Sequence, residues 1–502
     1  MGSTTETREF GFVVATASLS AAATLFYFFR PTATSTLREC KRAKAQQLPY
    51  PPSPGSEHFL WGHSHLMPPL DGPSLDSVLL KWSDELGSVF SYTIPVFGRF
   101  IIMTDPVMAH YVLSQHAFPK SFFSKWCWPL LGKQSMLSAA HKEPHQSIRH
   151  LFHKGFQPAY LNECCLEIMK DTTKGLLNRL RGAQGSTIAL LECTQNYTSQ
   201  VISSVAFGED WSSPSNPARQ ALRLVIESMM LAFDFSSGWN LLNPFVWYRC
   251  WVQHRALHQE MKSIVMSKFE NPGNDILSLA TQELLRVGKK STPNNKEIDM
   301  MIDQLKTLYF AGHETTSILI SWTVWVLAQH PDVLETLRDE LDNKLHGDWY
   351  LASASDYKTC TFLDAVLNEV LRLYPPASVA RSGESPKKDA LQWNGYRLDG
   401  ATLLLPTYVM HRSKANWGPD AEEFRPSRFL SDPNPKAFMP LSKGVYDCLG
   451  KSFAMLEAKV AVAAVVSSFD FEAIDPEKEC VCVRLTNQPK FGCQVQCSSR
   501  SL

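Results

Sequence analysis

The chain has 502 residues, 44% of them hydrophobic, and 49 basic side chains balance 49 acidic ones. Zero net charge without a long basic tract excludes the usual electrostatic footprint of a nucleic-acid binder. No repeat or low-complexity run divides the chain, and its 12 cysteines lack the spacing of a disulfide framework, which suits a reducing compartment.

From Phe10 to Phe29 the sequence carries no charge, and about twenty apolar residues suffice to span a bilayer as a helix. Arg30, Arg38, Lys41, Arg42 and Lys44 follow, which on the positive-inside rule holds the C-terminal side in the cytosol. A cleaved secretory signal is the competing reading. Basic charge after the run, rather than before it, speaks against that. Pro49, Pro51, Pro52 and Pro54 then make a stiff, extended spacer. The predicted division is a membrane anchor over 1–30, a basic and proline-rich hinge over 31–55, and a catalytic domain over 56–502.

Short strand-like runs follow at Val89–Ile94, Phe100–Met103 and Ala401–Leu405, while long helical patterns dominate from about residue 105 to 374. The predicted fold is therefore mainly α with a small β lobe. His145 and Arg149 are four apart, so they share a helical face. Asn196-Tyr197-Thr198 is a glycosylation sequon, which a cytosolic domain never presents to the modifying enzyme.

The segment from Lys296 to Gln329 places Ile298, Ile302, Leu305 and Tyr309 at helical spacing. Inside it lies Ala311-Gly312-His313-Glu314-Thr315-Thr316-Ser317. Glycine in a helix interior costs about 1 kcal/mol against alanine, and threonine hydroxyls bond backward to carbonyls and bend helices. Such a bend opens the backbone where a small ligand could sit, with Glu314 and Thr315 placed to relay protons. A helix with a packing glycine is the alternative.

Phe362, Val366 and Val370 form an amphipathic stripe on a helix that also puts Glu369 and Arg372 three apart, within pairing distance. Arg381 follows a proline-containing stretch, and Phe424-Arg425-Pro426-Ser427-Arg428-Phe429 is an irregular loop. In the run Pro440 to Gly450, Cys448 is flanked by Gly444 and Gly450, just before a helical pattern. The glycines allow a tight turn and close approach to a flat macrocycle. A helix N-terminus beyond the turn favours a thiolate. Ala454 and Glu457 complete Cys-x-Gly-x-x-x-Ala-x-x-Glu. A buried structural cysteine is the bland reading of this run alone. Near the end, Cys480, Cys482, Cys493 and Cys497 read as two strands of a hairpin turned at Asn487-Gln488-Pro489 rather than as a zinc site.

In this order, the four motifs resemble those of the cytochrome P-450 superfamily, and specifically its membrane-bound microsomal members. The resemblance implies haem b (iron protoporphyrin IX) with Cys448 as the axial ligand to iron. It implies Thr315 at the oxygen-activating position with Glu314 beside it and Ala311 on the same distal face. His145, Arg149 and Arg381 match propionate contacts, Gly444 and Gly450 shape the ligand loop, and Glu369, Arg372 and Arg428 match a structural triad. The implied reaction inserts one oxygen atom from O₂ into a lipophilic small molecule, by hydroxylation or epoxidation. A terpenoid, steroid, fatty acyl chain or polyketide of secondary metabolism fits that description. Electrons would come from a separate NADPH-dependent flavoprotein reductase docking near Lys443 and Lys451. The expected location is the endoplasmic reticulum membrane, single-pass, with the catalytic domain facing the cytosol. Around the substrate, Phe122, Phe123, Trp126, Trp128, Phe233, Phe235 and Trp239 are the candidate apolar residues. Two positions depart from the family pattern: Leu441 stands where phenylalanine is usual, and Tyr446 where arginine or histidine is usual. The rival classes are a haem-thiolate isomerase or dehydratase that uses no O₂, and a non-catalytic haem-binding protein. The Gly312-His313-Glu314-Thr315 run argues against the first of these.

Overall fold

The computed structural model describes residues 48–55, 63, 66, 74–94, 97–121, 124, 128–139, 142–211, 213–232, 244–384 and 392–500. The expected anchor over 1–30, much of the hinge, and Phe122, Phe123, Trp126, Phe233, Phe235 and Trp239 lie outside the described residues. Among the described residues, no helix is long and apolar enough to cross a membrane.

Helices predominate, and the core is built around one of them, Asn295–Leu327. Its start is set by a capping box. Asn294 Oδ1 accepts the Glu297 N–H at 3.1 Å, and the Glu297 carboxylate accepts the Asn294 N–H at 2.9 Å. After Ile298, every residue from Met301 to Tyr309 is buried, and so is every residue from Ile318 to Leu327. A helix apolar all round belongs inside a large core, and Trp322 stacks there on Tyr374 at 4.0 Å.

The helix Leu190–Phe207 lies along this central helix. Their facing hydroxyls are satisfied across the interface. Thr194 Oγ1 meets Ser321 Oγ at 2.7 Å, Thr198 Oγ1 donates to the His313 carbonyl at 2.6 Å, and Ser199 Oγ meets the Tyr309 hydroxyl at 2.6 Å. The sequon falls on this helix, with Asn196 and Thr198 buried.

The β lobe is a four-stranded sheet in the order Val89–Ile94, Gly98–Met103, Ala401–Leu405, Val379–Ser382. The outer two pairings are antiparallel and the middle one parallel. Its burial is strand-wise: Phe90, Tyr92, Phe100 and Ile102 pack against Trp82 of the helix Leu75–Leu86. Beyond the cysteine loop, the helix Lys451–Ser468 runs back under the central helix.

The C-terminal segment corrects the sequence reading. Asn487–Pro489 is a strand, not the turn; it pairs antiparallel with Val481–Val483, and the reversal falls at residues 484–486. Gln494–Ser499 does not pair with Val481–Val483 either, but lies between Phe469–Ala473 and Ile188–Ala189. Strand pairing across such sequence distances is decided by which apolar faces the core covers, which local alternation does not encode. Among the described residues, no His/Cys/Asp/Glu group could hold a metal ion, so the four cysteines form no such cluster.

Candidate functional site

Cys448 sits in a loop that the backbone itself closes: its N–H donates to the Leu441 carbonyl at 2.9 Å. Gly444 opens a short 3₁₀ turn at φ +79°. A Cβ there would lie 2.3 Å from the Leu113 carbonyl oxygen, so glycine is required by a neighbouring backbone and not by a macrocycle. Gly450, at φ −83°, caps the next helix, and a Cβ there would meet only Phe156 at 3.7 Å. No protein atom demands glycine at that position. Solvent reaches Cys448, although protein crowds it on most sides. That one-sided burial raises its thiol, as does Asp447, while the Gly450 N–H, Arg149 and Lys451 pull it down.

The helix Lys142–Phe152 fastens this loop from outside. Arg149 donates to the Asp447 carbonyl at 2.6 Å and to its carboxylate at 2.7 Å. One turn earlier, His145 is buried edge-on to the Tyr446 ring at 4.8 Å. Burial, with Lys120, Arg149 and Arg381 nearby, lowers its pKa to about 3, so it is neutral at physiological pH. Arg381 and Lys120 both lie over the Tyr446 ring, at 4.9 and 5.2 Å. Tyr446 thus stands beneath two cations at the position where a cation is usual in the family.

Those residues fit a planar dianionic macrocycle with a thiolate below it. Arg381 is buried, and its Nε, like Nδ1 of His145, has no hydrogen-bond partner among the described residues. Burial alone lowers Arg381 to about 10 against the pull of Tyr446. A buried guanidinium with an open donor calls for an anion. Lys120 was not singled out from sequence; a bridge between residues 120 and 381 and its bonds to the Met136 and Leu137 carbonyls bring it here.

On the central helix, Thr315 Oγ1 donates back to the Ala311 carbonyl at 2.7 Å, the backward bond that sequence chemistry predicts. The helix stays α-helical through this point. Gly312 has a packing reason: a Cβ there would lie 2.6 Å from Ile202 Cγ1 on the neighbouring helix. Glu314 is buried and accepts from Gln488 Nε2, while its Oε2 finds no partner among the described residues. Burial raises its pKa to about 7, against Thr486, Gln488 and Arg484.

Glu369, Arg372 and Arg428 come together in the core. Arg372 donates Nε and Nη2 to the two Glu369 oxygens at 2.8 Å each, and Arg428 Nε adds a third contact at 3.3 Å. Glu369 and Arg372 have no exposed side-chain surface. Remaining Arg372 donors reach the His411 and Ala421 carbonyls at 2.9 and 2.5 Å. Asp420, missed from sequence, takes Arg428 at 2.9 Å and Arg425 at 2.5 Å. An acid eight residues before Arg428 in a proline-rich loop was its only local sign.

With this geometry in view, similarity to known proteins supplies the class. The cytochrome P450 family profile matches residues 51–492, and the chain belongs to that family. It is 30% identical to a cytokinin hydroxylase of Arabidopsis thaliana over 443 residues, 84% of this chain and 83% of that protein. It is 31% identical to secologanin synthase 1 of Catharanthus roseus over 319 residues, 59% of each. The cytochrome P450 CYP72A616 of Paris polyphylla matches at 29% over 518 residues, 94% of this chain and 90% of that protein. Family membership makes the protein a haem-thiolate oxidoreductase of the monooxygenase class.

Proposed function

We propose that this protein inserts one oxygen atom from O₂ into a lipophilic small molecule, with Cys448 as the thiolate ligand of haem b. The carrying observation is the pair of cations over the ring of Tyr446, buried Arg381 and half-buried Lys120, two residues before Cys448, with Arg149 held on the intervening Asp447. Haem bound to a thiolate, for which the cytochromes P450 are the standard example, supplies cleavage of the O–O bond. Arg381 and His145 would hold the propionates, and Arg149 holds the cysteine loop through Asp447. Thr315 and Glu314 handle protons. The Thr315 hydroxyl already donates to Ala311, which leaves its oxygen to accept from a water. Glu314, poised near neutrality, exchanges protons at the working pH. Electrons would come from an NADPH-dependent flavoprotein reductase at the surface carrying Lys443 and Lys451. The uncharged run Phe10–Phe29 supports a single-pass anchor in the endoplasmic reticulum membrane, catalytic domain outward to the cytosol. Relatives named a hydroxylase and a synthase of plant metabolites support an oxidation in secondary metabolism.

Parallel accounting of NADPH, product and hydrogen peroxide tests this reading. Thr315→Ala should keep fold and haem, since alanine is the better helix former, while product per NADPH falls by about 10²-fold or more and peroxide replaces it. Unchanged coupling would remove Thr315 from proton delivery.

A further inference from the structure

Glu314 is held by a residue 174 positions further along the chain. Gln488 lies on the strand Asn487–Pro489 and donates Nε2 to Glu314 Oε1 and also to Thr486 Oγ1 at 3.1 Å. All three side chains are buried. The strand is pinned from its other side. Asn487, next to Gln488, donates Nδ2 to Asp76 and to the Pro375 carbonyl, each at 3.1 Å, and its N–H donates to the Pro376 carbonyl at 2.8 Å. Gln488 is therefore aimed by fixed backbone at one carboxyl oxygen, and the other oxygen is left without a partner.

We propose that Gln488 is a positioning residue for proton delivery: its amide fixes the Glu314 carboxyl so that the unpartnered oxygen serves the site. This rests on the proton-handling role of Glu314 proposed above. Donors on the carboxylate favour the charged form, so Thr486 and Gln488, itself bonded to the Thr486 hydroxyl, together offset part of the burial that drives Glu314 toward its neutral form. Arg484, at the reversal of the same hairpin, is the charged group acting on Glu314. Its helix neighbours are committed elsewhere: His313, lowered to about 4 by burial, bonds the Tyr309 carbonyl, and Thr315 bonds Ala311. The helix Leu190–Phe207 presents Thr198 and Ile202 to this turn, neither of them charged. Glu457, on the helix Lys451–Ser468, acts at Thr316 instead.

The experiment uses the full-length ferric enzyme and its reductase. Infrared spectra identify the protonated Glu314 carboxyl as the band that Glu314→Gln deletes, and its titration is followed with pH. The pH dependence of product per NADPH is measured in parallel. Gln488→Leu removes the donor at similar volume, and the midpoint of both titrations should move up together by about one unit. Gln488→Glu, which keeps the shape, should also move the midpoint up, because two adjacent carboxyls cannot ionise together. If both variants leave the band's midpoint where it was, the proposal is overturned, including where coupling falls equally at every pH. If Glu314→Gln itself leaves coupling intact, it is the proton-handling role of Glu314 that fails.

Discussion

Replacing Glu369 with glutamine keeps the volume of the network and removes the carboxylate that has no exposed surface. The native carboxylate accepts from Arg372 twice, from Arg428 Nε at 3.3 Å and from the Arg425 N–H at 2.9 Å. A glutamine offers one acceptor oxygen and turns an NH₂ toward donors. Arg372, with no exposed side-chain surface, loses its counter-charge and one of its two bonds to residue 369, and keeps its carbonyl partners. Breaking a buried pair on one side costs about 3–5 kcal/mol, a large share of the roughly 5–15 kcal/mol that holds a domain together. The unfolded fraction should rise by about two to four orders of magnitude. Proteins of this size often unfold irreversibly, so the readout is yield of haem-loaded protein and half-life at a fixed temperature. Arg425→Ala is the control, because that side chain is 53% exposed and pairs only at the surface; it should stay near native. A Glu369→Gln protein as long-lived as Arg425→Ala would refute the reasoning.

Further perturbations address other parts of the molecule. Asp76 is buried, and burial raises its pKa from 3.8 to about 6 against Asn487 and Arg412. A raised carboxyl stabilises the fold fully below pH 3.8 and loses that contribution as pH rises through about 6. Asp76→Asn should therefore gain stability over the native protein above about pH 6, by roughly 2–3 kcal/mol; a thermal midpoint unchanged between pH 5 and 8 contradicts this. Gly444→Ala should lower haem-loaded yield several-fold, because its Cβ would press on the Leu113 carbonyl; a normal yield would show that the loop relaxes. Deleting residues 1–30 should move most protein out of the carbonate-resistant membrane fraction, and unchanged resistance would refute the anchor.

Periodicity and punctuation made the long elements legible. The apolar spacing of Ile298, Ile302 and Leu305 marks the central helix because the forces behind it act within a turn or two of chain, while the Asn294 cap that starts it emerged only from the structure. The glycine and proline runs likewise marked the cysteine loop and the loop around Arg428. What stayed hidden is contact between residues far apart. Gln488 on Glu314, Lys120 beside Tyr446 and the pairing of Gln494–Ser499 with Phe469–Ala473 all depend on how the core closes. No local pattern announces them. Proline at 489 and the polar pair before it read as a turn, yet the segment is a strand of a short two-stranded ladder. Glycine 312 shows the opposite case, a local signal with two meanings that only the packing of Ile202 separates.

The most direct test of the haem-thiolate assignment is the carbon monoxide difference spectrum of reduced Cys448→Ala. The loop should survive the change, since its closing bond runs from the Cys448 N–H to the Leu441 carbonyl and spares the side chain. The account predicts a folded protein in which the thiolate-specific absorption is gone, with any bound haem showing only the spectrum of other ligands. Survival of that absorption in the variant would place the ligand elsewhere and contradict the assignment of Cys448.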